Sequence, residues 1–339
     1  MAHQIETPGH ESRAQRRQLA FFAKLLKMGG FEQRTLLLPT GVRMAYRIGR
    51  PRATHFSADV ASNVEHGKYQ LNFDVHFDGD PSRAPALSPR GSILLLHPWS
   101  MDGSSLATWA LLFSDAGYVV VVPDLRSQGD SADAPVGYGP REAQDIVALA
   151  HELRQSGQLP GPLYLMGASY GGTVAMFSAP DLPDMRGVIA LEPYANAAAV
   201  IRRAPSSQLF GHPWVSAVIG KKTMDKAIAR ASRQLGVDLI HLDAGDALAR
   251  APVCTLIVRG SRDELTTEED MRRLAARTSR AVHAELAHEN HMTLPLRTDR
   301  LFQPILQWMK ALPDAGSTAC PTFEPKYSKA AQARGAAAT

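Results

Sequence analysis

The sequence Gly167-Ala168-Ser169-Tyr170-Gly171-Gly172 lies between an apolar run at 162–166 and a helical pattern at 173–177, and it is the most informative part of the chain for the fold. Strand, tight turn and helix follow one another here without a linker. Glycine at 167 and 171 leaves room for close neighbouring backbones, while the serine backbone takes a strained turn. The pattern predicts that the Ser169 hydroxyl is held at a sharp bend, at the end of a buried strand.

Apolar runs on both sides of this turn predict a sheet around it. They are near-continuous at 92–97, 118–124, 162–167, 187–193, 254–260 and 281–287. Strands that are apolar on both faces are typical of a parallel sheet covered by helices. Helical patterns alternate with them at 104–115, 141–156, 170–179, 267–278 and 303–312. We therefore expect an α/β fold, with a mostly parallel, twisted sheet of about eight strands and helices on both faces. Strand-like runs at 34–38, 42–48 and 69–77 predict an antiparallel lead-in.

The same rhythm divides the chain into segments. It breaks at 197–250, where helical segments dominate, and we expect a small helical cap inserted over the carboxyl edge of the sheet. The predicted divisions are an N-terminal extension at 1–35, a core formed by 36–196 and 251–313, the cap at 197–250 and a flexible tail at 314–339. The tail is rich in alanine, proline, lysine and glycine and shows little periodicity.

Length and charge limit the class of protein. The 339 residues suffice for one large α/β domain with an insertion and tails. A hydrophobic share of 45% and a charged share of 21% exclude a fibrous or wholly disordered chain. The net charge is +4, of which residues 1–35 hold +3 and the tail from 314 holds +1, so the body is neutral. A neutral body argues against nucleic acid as a partner.

Residues 13–28 predict a basic amphipathic helix. Arginines and lysines lie opposite apolar side chains that recur at helical spacing, namely Leu19, Phe22, Ala23 and Leu26. We expect the apolar face to pack against the domain or a second subunit, because most amphipathic helices bury that face on protein. Contact with an anionic membrane surface is the alternative.

Cysteine usage and hydropathy bear on location. Cys254 lies in an apolar strand-like run and Cys320 in the Pro/Ala-rich tail, so we expect no structural disulfide. The best candidate for a targeting segment, 19–26, is interrupted by Lys24 and is far shorter than the ~20 apolar residues of a membrane span. With no signal peptide or span indicated, we expect a cytoplasmic location.

The Ser169 hydroxyl becomes a nucleophile only when a base takes its proton. Two later strands end in candidate partners: Gly260-Ser261-Arg262-Asp263 follows one, and His288-Glu289-Asn290-His291 follows the next. With the Ser169 turn, these motifs make residues 36 to 313 resemble the α/β-hydrolase superfamily, in esterase-like and serine-peptidase-like form. That family has its nucleophile, acid and histidine in this chain order. The resemblance implies Ser169 as nucleophile, Asp263 as the acid and His291 as the general base.

Two alternatives stay open within this triad. His288 is the rival base, three residues before His291 on the same loop; its other role is surface solvation or a structural hydrogen bond. His291 is preferred because His-Met-Thr-Leu resembles the family's histidine, which is followed by apolar residues that open the last helix. Glu192, at the end of the strand 187–191, is the fallback acid, and Asp263 would then be a capping or turn residue.

The resemblance also implies two backbone donors for a negatively charged oxygen. One is the amide of Tyr170, and the other comes from the loop His97-Pro98-Trp99, where the family more often has His-Gly. Proline has no amide hydrogen, so we expect Trp99 to be the second donor. An apolar substrate pocket is expected to be lined by Trp99, Phe210 and Trp214. The chemistry requires no metal and no organic cofactor.

These features favour hydrolysis of a small-molecule carboxylic ester or thioester through an acyl-enzyme on Ser169. Peptide or amide cleavage by the same triad is one alternative, because only the pocket decides between the two. A binding or scaffold protein that keeps the fold without activity is the other, since a fold alone does not determine chemistry. A homo-oligomer also stays open.

Overall fold

An eight-stranded sheet forms the centre of the computed structural model, which describes residues 5–8, 13–65, 68–206, 220–313 and 319–325. In chain order, the strands of these residues are β1 (Glu32–Leu37), β2 (Arg43–Gly49), β3 (Phe56–Glu65), β4 (Lys68–Phe77), β5 (Gly91–Leu96), β6 (Tyr118–Pro123), β7 (Leu163–Ala168), β8 (Met185–Leu191), β9 (Cys254–Gly260) and β10 (Ala281–Leu286). The sheet has the order β1-β2-β6-β5-β7-β8-β9-β10. β1, β2 and β6 pair antiparallel, and every pairing from β6 to β10 is parallel. The predicted sheet is confirmed.

Helices cover both faces of this sheet. In the described ranges they are α1 (Arg13–Met28), α2 (Ala107–Asp115), α3 (Pro140–Gln155), α4 (Tyr170–Ser178), α5 (Ala197–Arg203), α6 (Lys221–Leu235), α7 (Ala244–Arg250), α8 (Glu268–Ala275) and α9 (Thr298–Ala311). Successive residues of a strand point to opposite faces. In β5, Leu94 and Leu96 therefore join one hydrophobic core, and Ile93 and Leu95 join the other. Helices α3 to α8 contribute to the first core, and α1, α2 and α9 contribute to the second.

The segment at 197–250, predicted as a cap, is helical where it is described. It holds α5, α6 and α7, whose buried residues Ile201, Ile228 and Leu248 join the first core. Residues 207–219 lie outside the described part of the chain. The division of the chain into core and cap stays a prediction.

The antiparallel lead-in differs from the expectation at its third strand. The run at 69–77 does form a strand, β4, but it pairs with β3 in a separate two-stranded sheet instead of extending the main one. Strand β3 was not predicted, because its apolar side chains are few and alternate with polar ones. Phe56 and Val60 are its buried residues among those described. A two-stranded sheet that is buried on one face requires only this weak alternation of apolar and polar residues, which is difficult to recognise in the sequence.

Helix α1 packs its apolar face on the domain. The ring of Phe22 meets that of Phe73 edge-on at 5.1 Å, and the Ser104 hydroxyl donates to the carbonyl oxygen of Leu19 at 3.1 Å. Leu25 and Leu26 are buried with them. The expectation that this helix packs against protein is confirmed.

Cys254 and Cys320 form a disulfide bond, with their Cα atoms 5.7 Å apart. The expectation that the cysteines stay unpaired was wrong. The segment around Cys320 returns to the start of β9, where the Trp308 indole donates to the carbonyl oxygen of Pro321 at 3.0 Å. Phe323 is buried in the second core. Local sequence patterns do not predict that the tail packs here, because the residues that it contacts are distant in sequence. Pro321 is 13 residues from Trp308, and Cys320 is 66 residues from Cys254.

The disulfide also bears on the tail and on location. The tail predicted as flexible at 314–339 is attached to the domain through Cys320, Pro321 and Phe323, and residues 314–318 and 326–339 lie outside the described part of the chain. Within the described ranges, no helix is long and apolar enough to cross a bilayer. Disulfides persist mainly in oxidising compartments. The bond therefore weighs against the predicted cytoplasmic location, which stays a prediction.

Replacing Cys320 with serine is expected to lower the free energy of unfolding by about 4 kcal/mol. The bond closes a loop between residues 66 apart, and a loop of that length restricts the unfolded chain by about this amount in the chain-entropy model. Urea denaturation at neutral pH measures the change. Wild type unfolded in the presence of a thiol reductant is the control and should match the variant. Equal stability of oxidised wild type and variant would contradict the prediction.

Candidate active site

Ser169 lies in a sharp turn between β7 and α4, at the carboxyl end of the sheet. Its φ is +52°, a conformation that non-glycine residues rarely adopt, and its amide donates to the carbonyl oxygen of Leu191 at 2.7 Å. A Cβ atom on Gly167 would lie 2.2 Å from the carbonyl carbon of Gly171, and one on Gly171 would lie 2.0 Å from the carbonyl oxygen of Leu96. Only glycine lets these backbones come so close. The turn predicted from sequence is confirmed in its backbone geometry.

A chain of hydrogen bonds links Ser169 to two later loops. The hydroxyl oxygen of Ser169 lies 2.8 Å from Nε2 of His291, and Nδ1 of His291 lies 2.8 Å from Oδ2 of Asp263. Asp263 follows β9 and His291 follows β10, so the carboxyl ends of parallel strands bring all three together. His291 and Asp263 are buried, whereas Ser169 is partly exposed. A substrate therefore has access to the hydroxyl and not to the carboxylate.

The loop that carries Asp263 holds its carboxylate in place. The amides of Leu265 and Thr266 donate to Oδ1 at 2.7 and 3.0 Å, and the Thr266 hydroxyl donates to Oδ2. The guanidinium of Arg259, in β9, donates to the carbonyl oxygens of Asp263 and Thr266. Burial acts to raise the pKa of Asp263, but its bonds to His291 and Thr266 outweigh that effect and lower the pKa. The carboxylate is thus ionised beside the imidazole.

Glu192 lies close to the imidazole of His291, but its protonation differs from that of Asp263. Its side chain is fully buried, its Oε2 is 3.6 Å from Nδ1 of His291, and its Oε1 accepts from the amide of Gly260 at 3.3 Å. Burial, followed by the negative charge of Asp263, raises its pKa well above the ordinary value. The shorter contact of Asp263 favours Asp263 as the partner of His291, and the raised pKa of Glu192 favours its protonated, uncharged form.

The Glu192→Gln variant is expected to gain stability relative to wild type as the pH rises. The raised pKa means that the folded state keeps a proton which the unfolded chain loses above about pH 4.3. Wild type therefore loses stability from that pH up to the folded-state pKa, and a neutral amide removes this loss. Urea denaturation of both proteins from pH 4 to pH 8 measures the difference. Parallel stability curves would contradict the prediction.

His288, the rival base, is placed differently. It is exposed, its φ is +68°, and its imidazole Nδ1 lies 3.4 Å from the guanidinium of Arg262. Its amide donates to the hydroxyl of Ser261 at 2.8 Å, which ties its loop to the loop of Asp263. His288 is thus a loop residue at the surface, and His291 alone is the histidine bonded to Ser169 among the described residues.

The loop that carries one expected backbone donor, Trp99, lies against the start of the helix that carries the other, Tyr170. Tyr170 is the first residue of α4, and the first amides of a helix have no partner within that helix. The close approach of Gly171 to the carbonyl oxygens of Leu96 and His97 sets the loop that carries Trp99 against the same helix start. His97 is buried; its Nε2 accepts from a loop amide at 2.9 Å and its Nδ1 contacts the carbonyl oxygen of Pro98 at 2.8 Å. Burial lowers the pKa of His97, so it stays neutral.

An aromatic cluster surrounds this loop. The indole of Trp99 stacks on Tyr138 at 5.2 Å and meets Tyr170 edge-on at 4.9 Å. The hydroxyl of Tyr138 donates to the carbonyl oxygen of Ile5 at 2.7 Å, and Tyr194 donates to the carbonyl oxygen of Tyr138 at 2.9 Å. Trp99 is thus part of an aromatic cluster, and its place in the substrate pocket stays a prediction. Sequence analysis missed Tyr138, Tyr194 and Ile5, because no pattern along the chain places the N-terminal segment here.

The other two expected pocket residues, Phe210 and Trp214, lie outside the described residues. The prediction that they line the pocket stays a prediction.

One cluster of described residues has the donor types of a metal site. It consists of Glu192, Asp263 and His291, whose nearest ligand atoms lie within 4.8 Å of one another. A cation there would compete with the hydrogen bond between His291 and Asp263, since both residues would have to turn the same atoms towards it. The donors suit the hydrogen bond between His291 and Asp263 better than a metal, because the raised pKa of Glu192 favours its protonated form, which is a poor metal ligand.

Comparison with known proteins identifies the family. A family model described as the α/β-hydrolase family matches residues 93–303, which is more than half of the 339 residues. The chain belongs to the α/β-hydrolase family. An AB hydrolase superfamily protein of Gibberella zeae is 30% identical over 125 residues, which are 36% of this chain and 43% of that protein. The match thus spans less than half of that relative's length.

Solved structures share the fold over most of the chain. An esterase of Pyrococcus furiosus has a TM-score of 0.58 at 13% identity and covers 85% of this chain and 93% of its own. The α/β hydrolase GrgF of a Penicillium species has 0.57 at 12% identity, with coverage of 83% and 98%. Est1E of Butyrivibrio proteoclasticus has 0.52 at 14% identity, with coverage of 82% and 99%. At these identities the likeness is one of fold.

Proposed function

We propose that this protein is a serine hydrolase that cleaves a carboxylic ester or thioester through an acyl-enzyme on Ser169. The observation that carries the proposal is the unbroken path from the Ser169 hydroxyl through His291 to the Asp263 carboxylate, with both hydrogen bonds at 2.8 Å. A serine, a histidine and an ionised acid in this order form the relay that activates a hydroxyl. The strained turn holds the hydroxyl where a substrate can reach it.

In the first half-reaction the Ser169 oxygen attacks the substrate's carbonyl carbon, and Nε2 of His291 takes the hydroxyl proton. The imidazolium that forms is stabilised by the carboxylate of Asp263. The carbonyl oxygen becomes negatively charged and accepts from the amides of Tyr170 and Trp99. When the tetrahedral intermediate collapses, the bond to the leaving alcohol or thiol breaks and His291 returns the proton to it. An acyl group then remains on Ser169.

In the second half-reaction His291 acts as a base on water. Water loses a proton to Nε2 and attacks the acyl carbon, and the bond to Ser169 breaks as the proton passes to its oxygen. The product is a carboxylic acid, and the enzyme returns to its starting state. Each step uses protein side chains and backbone amides alone.

Two features favour esters over amides. The half-buried indole of Trp99 packs on the buried rings of Tyr138 and Tyr170, and such an aromatic cluster beside Ser169 suits an acyl chain or an aromatic ester. An esterase is also among the solved structures that share the fold. Cleavage of a peptide or amide by the same residues is the alternative, and a fold that binds without reaction is the third candidate.

Labelling with a fluorophosphonate probe tests the proposal. Folded wild-type protein is expected to form a covalent adduct, and Ser169→Ala is expected to form none, because the probe reacts with an activated serine. Ser178→Ala is the matched control: this serine is buried at the end of α4, the helix that follows Ser169, and its hydroxyl donates to the carbonyl oxygen of Val174 at 2.9 Å. Mass spectrometry of the intact chain counts the adducts.

Absence of an adduct on folded wild type would overturn the enzymatic proposal in favour of a binding protein. If labelling occurs, a panel of short esters, thioesters and aminoacyl amides separates the enzyme functions. Turnover of the amides above that of the esters would assign the protein to the peptidases or amidases instead.

A further inference from the structure

The outer face of α1 combines positive charge with exposed apolar side chains. The cations are Arg13, Arg16, Arg17, Lys24 and Lys27, all of them exposed, and α1 holds no acidic residue. Phe21 and Met28 are 44% and 40% exposed, two of the four large apolar side chains that are so exposed in the described residues. At ~100° per residue the seven side chains fall in an arc of roughly 140°, opposite the buried face.

The charges on this face are not neutralised within the described part of the chain. Across those ranges no ion pair joins any of the five cations to a carboxylate. Elsewhere on the surface arginines do pair: Arg202 lies 2.8 Å from Asp225 and Arg272 lies 3.3 Å from Glu268. The positive charge on α1 is therefore available to an anionic partner.

The exposed side chains of Phe21 and Met28 favour a lipid surface over other anionic partners. A nucleic acid or an acidic protein segment needs only the cations, whereas a lipid surface also takes up apolar side chains at the level of its headgroups. Both apolar side chains lie at one margin of the cationic arc, where they would enter the bilayer while the cations meet the headgroups. The helix is also held rigidly, because its opposite face is buried in the second core.

The position of α1 brings such a surface close to the candidate active site. The Ser104 hydroxyl holds the carbonyl oxygen of Leu19 at 3.1 Å, and Ser104 lies five residues after Trp99. The chain just before α1 reaches the site as well, since Tyr138, which stacks on Trp99, donates to the carbonyl oxygen of Ile5. Helix α1 and the chain before it are thus anchored to segments close to the candidate active site, at Ser104 and Tyr138.

We propose that the outer face of α1 docks the protein on an anionic phospholipid surface. The five cations bind the headgroups, and Phe21 and Met28 insert among the acyl chains. The proposal does not depend on hydrolysis, because binding is measured without turnover.

Co-sedimentation of the full chain with vesicles tests this docking. Vesicles of phosphatidylcholine with one third phosphatidylglycerol are expected to bind wild type, and pure phosphatidylcholine vesicles to bind it weakly. The triple variant Arg17→Glu, Lys24→Glu, Lys27→Glu is expected to lose about 100-fold in affinity, on the basis of about fivefold per cation. Phe21→Ala is expected to lose several-fold, and raised salt to weaken wild type.

The matched control reverses three exposed cations on another helix, Lys221→Glu, Lys222→Glu and Lys226→Glu in α6, with the same change in net charge. It is expected to bind as wild type does. Thermal unfolding and fluorophosphonate labelling show whether each variant is folded. Equal loss in both triple variants would overturn the proposal, because binding would then follow net charge alone. Binding to a DNA duplex that exceeds binding to the anionic vesicles, with no effect of Phe21→Ala, would overturn it in favour of a nucleic acid.

Discussion

The variant His291→Ala is expected to lower kcat for a short ester by about 10⁶-fold, because the serine hydroxyl then has no base to take its proton. The 2.8 Å contact between Nε2 and the Ser169 oxygen makes His291 the only imidazole of the described residues in reach of that proton. Steady-state initial rates at a saturating concentration of the ester, taken after any pre-steady-state burst, measure kcat. The residual rate would come from the backbone donors and from binding.

His288→Ala is the matched control for this experiment. It removes an imidazole from the same loop, three residues away, but from an exposed position whose side chain contacts Arg262. The control is expected to keep kcat within about threefold of wild type, as is usual for a surface position. A large loss in His288→Ala with a small loss in His291→Ala would reverse the assignment and sink the proposed relay.

The candidate active site could be predicted from the sequence because its parts are local. Each of Ser169, Asp263 and His291 follows an apolar run at a turn, and parallel strands end at one edge of the sheet. Strand positions therefore fix which loops meet, without knowledge of the packing. The choice between His288 and His291 could not be made from strand positions, because both residues follow the same strand. It depends on which side of one loop faces Ser169, and only coordinates supply that direction.

The features that sequence reasoning missed depend on contacts between distant segments. The pairing of Cys254 with Cys320 requires the tail to return to β9, and the contact between Ile5 and Tyr138 spans 133 residues. Hydrophobic periodicity reports which face of an element is buried and not which distant segment covers it. Helix α9 begins at Thr298, five residues before the predicted start at 303. Pro304 lies inside the helix, whereas a proline ordinarily indicates a helix boundary.

The second large effect is expected from Asp263→Asn, which should lower kcat by about 10⁴-fold with little change in the fold. An amide in place of the carboxylate donates to Nδ1 instead of accepting from it, which leaves Nε2 protonated and unable to act as a base. The amides of Leu265 and Thr266 can still donate to the remaining side-chain oxygen. Asp115→Asn is the control, because it alters a carboxylate whose hydrogen bonds in the described ranges are to Thr54 and to the amide of Phe56.

The size of the loss in kcat of Asp263→Asn depends on whether Glu192 can replace Asp263 as the partner of His291. In wild type its Oε2 is 3.6 Å from Nδ1 of His291, too long for a hydrogen bond, and the charge of Asp263 helps to keep it protonated. Once Asp263 is neutral, that repulsion is gone and Glu192 ionises more readily. If it then takes over, Asp263→Asn alone should lose less than about 10²-fold in kcat, and the double variant with Glu192→Gln should lose the full 10⁴-fold. Equal losses in the single and double variants would show that 3.6 Å is too far for Glu192 to orient the imidazole, and Asp263 alone would hold that role.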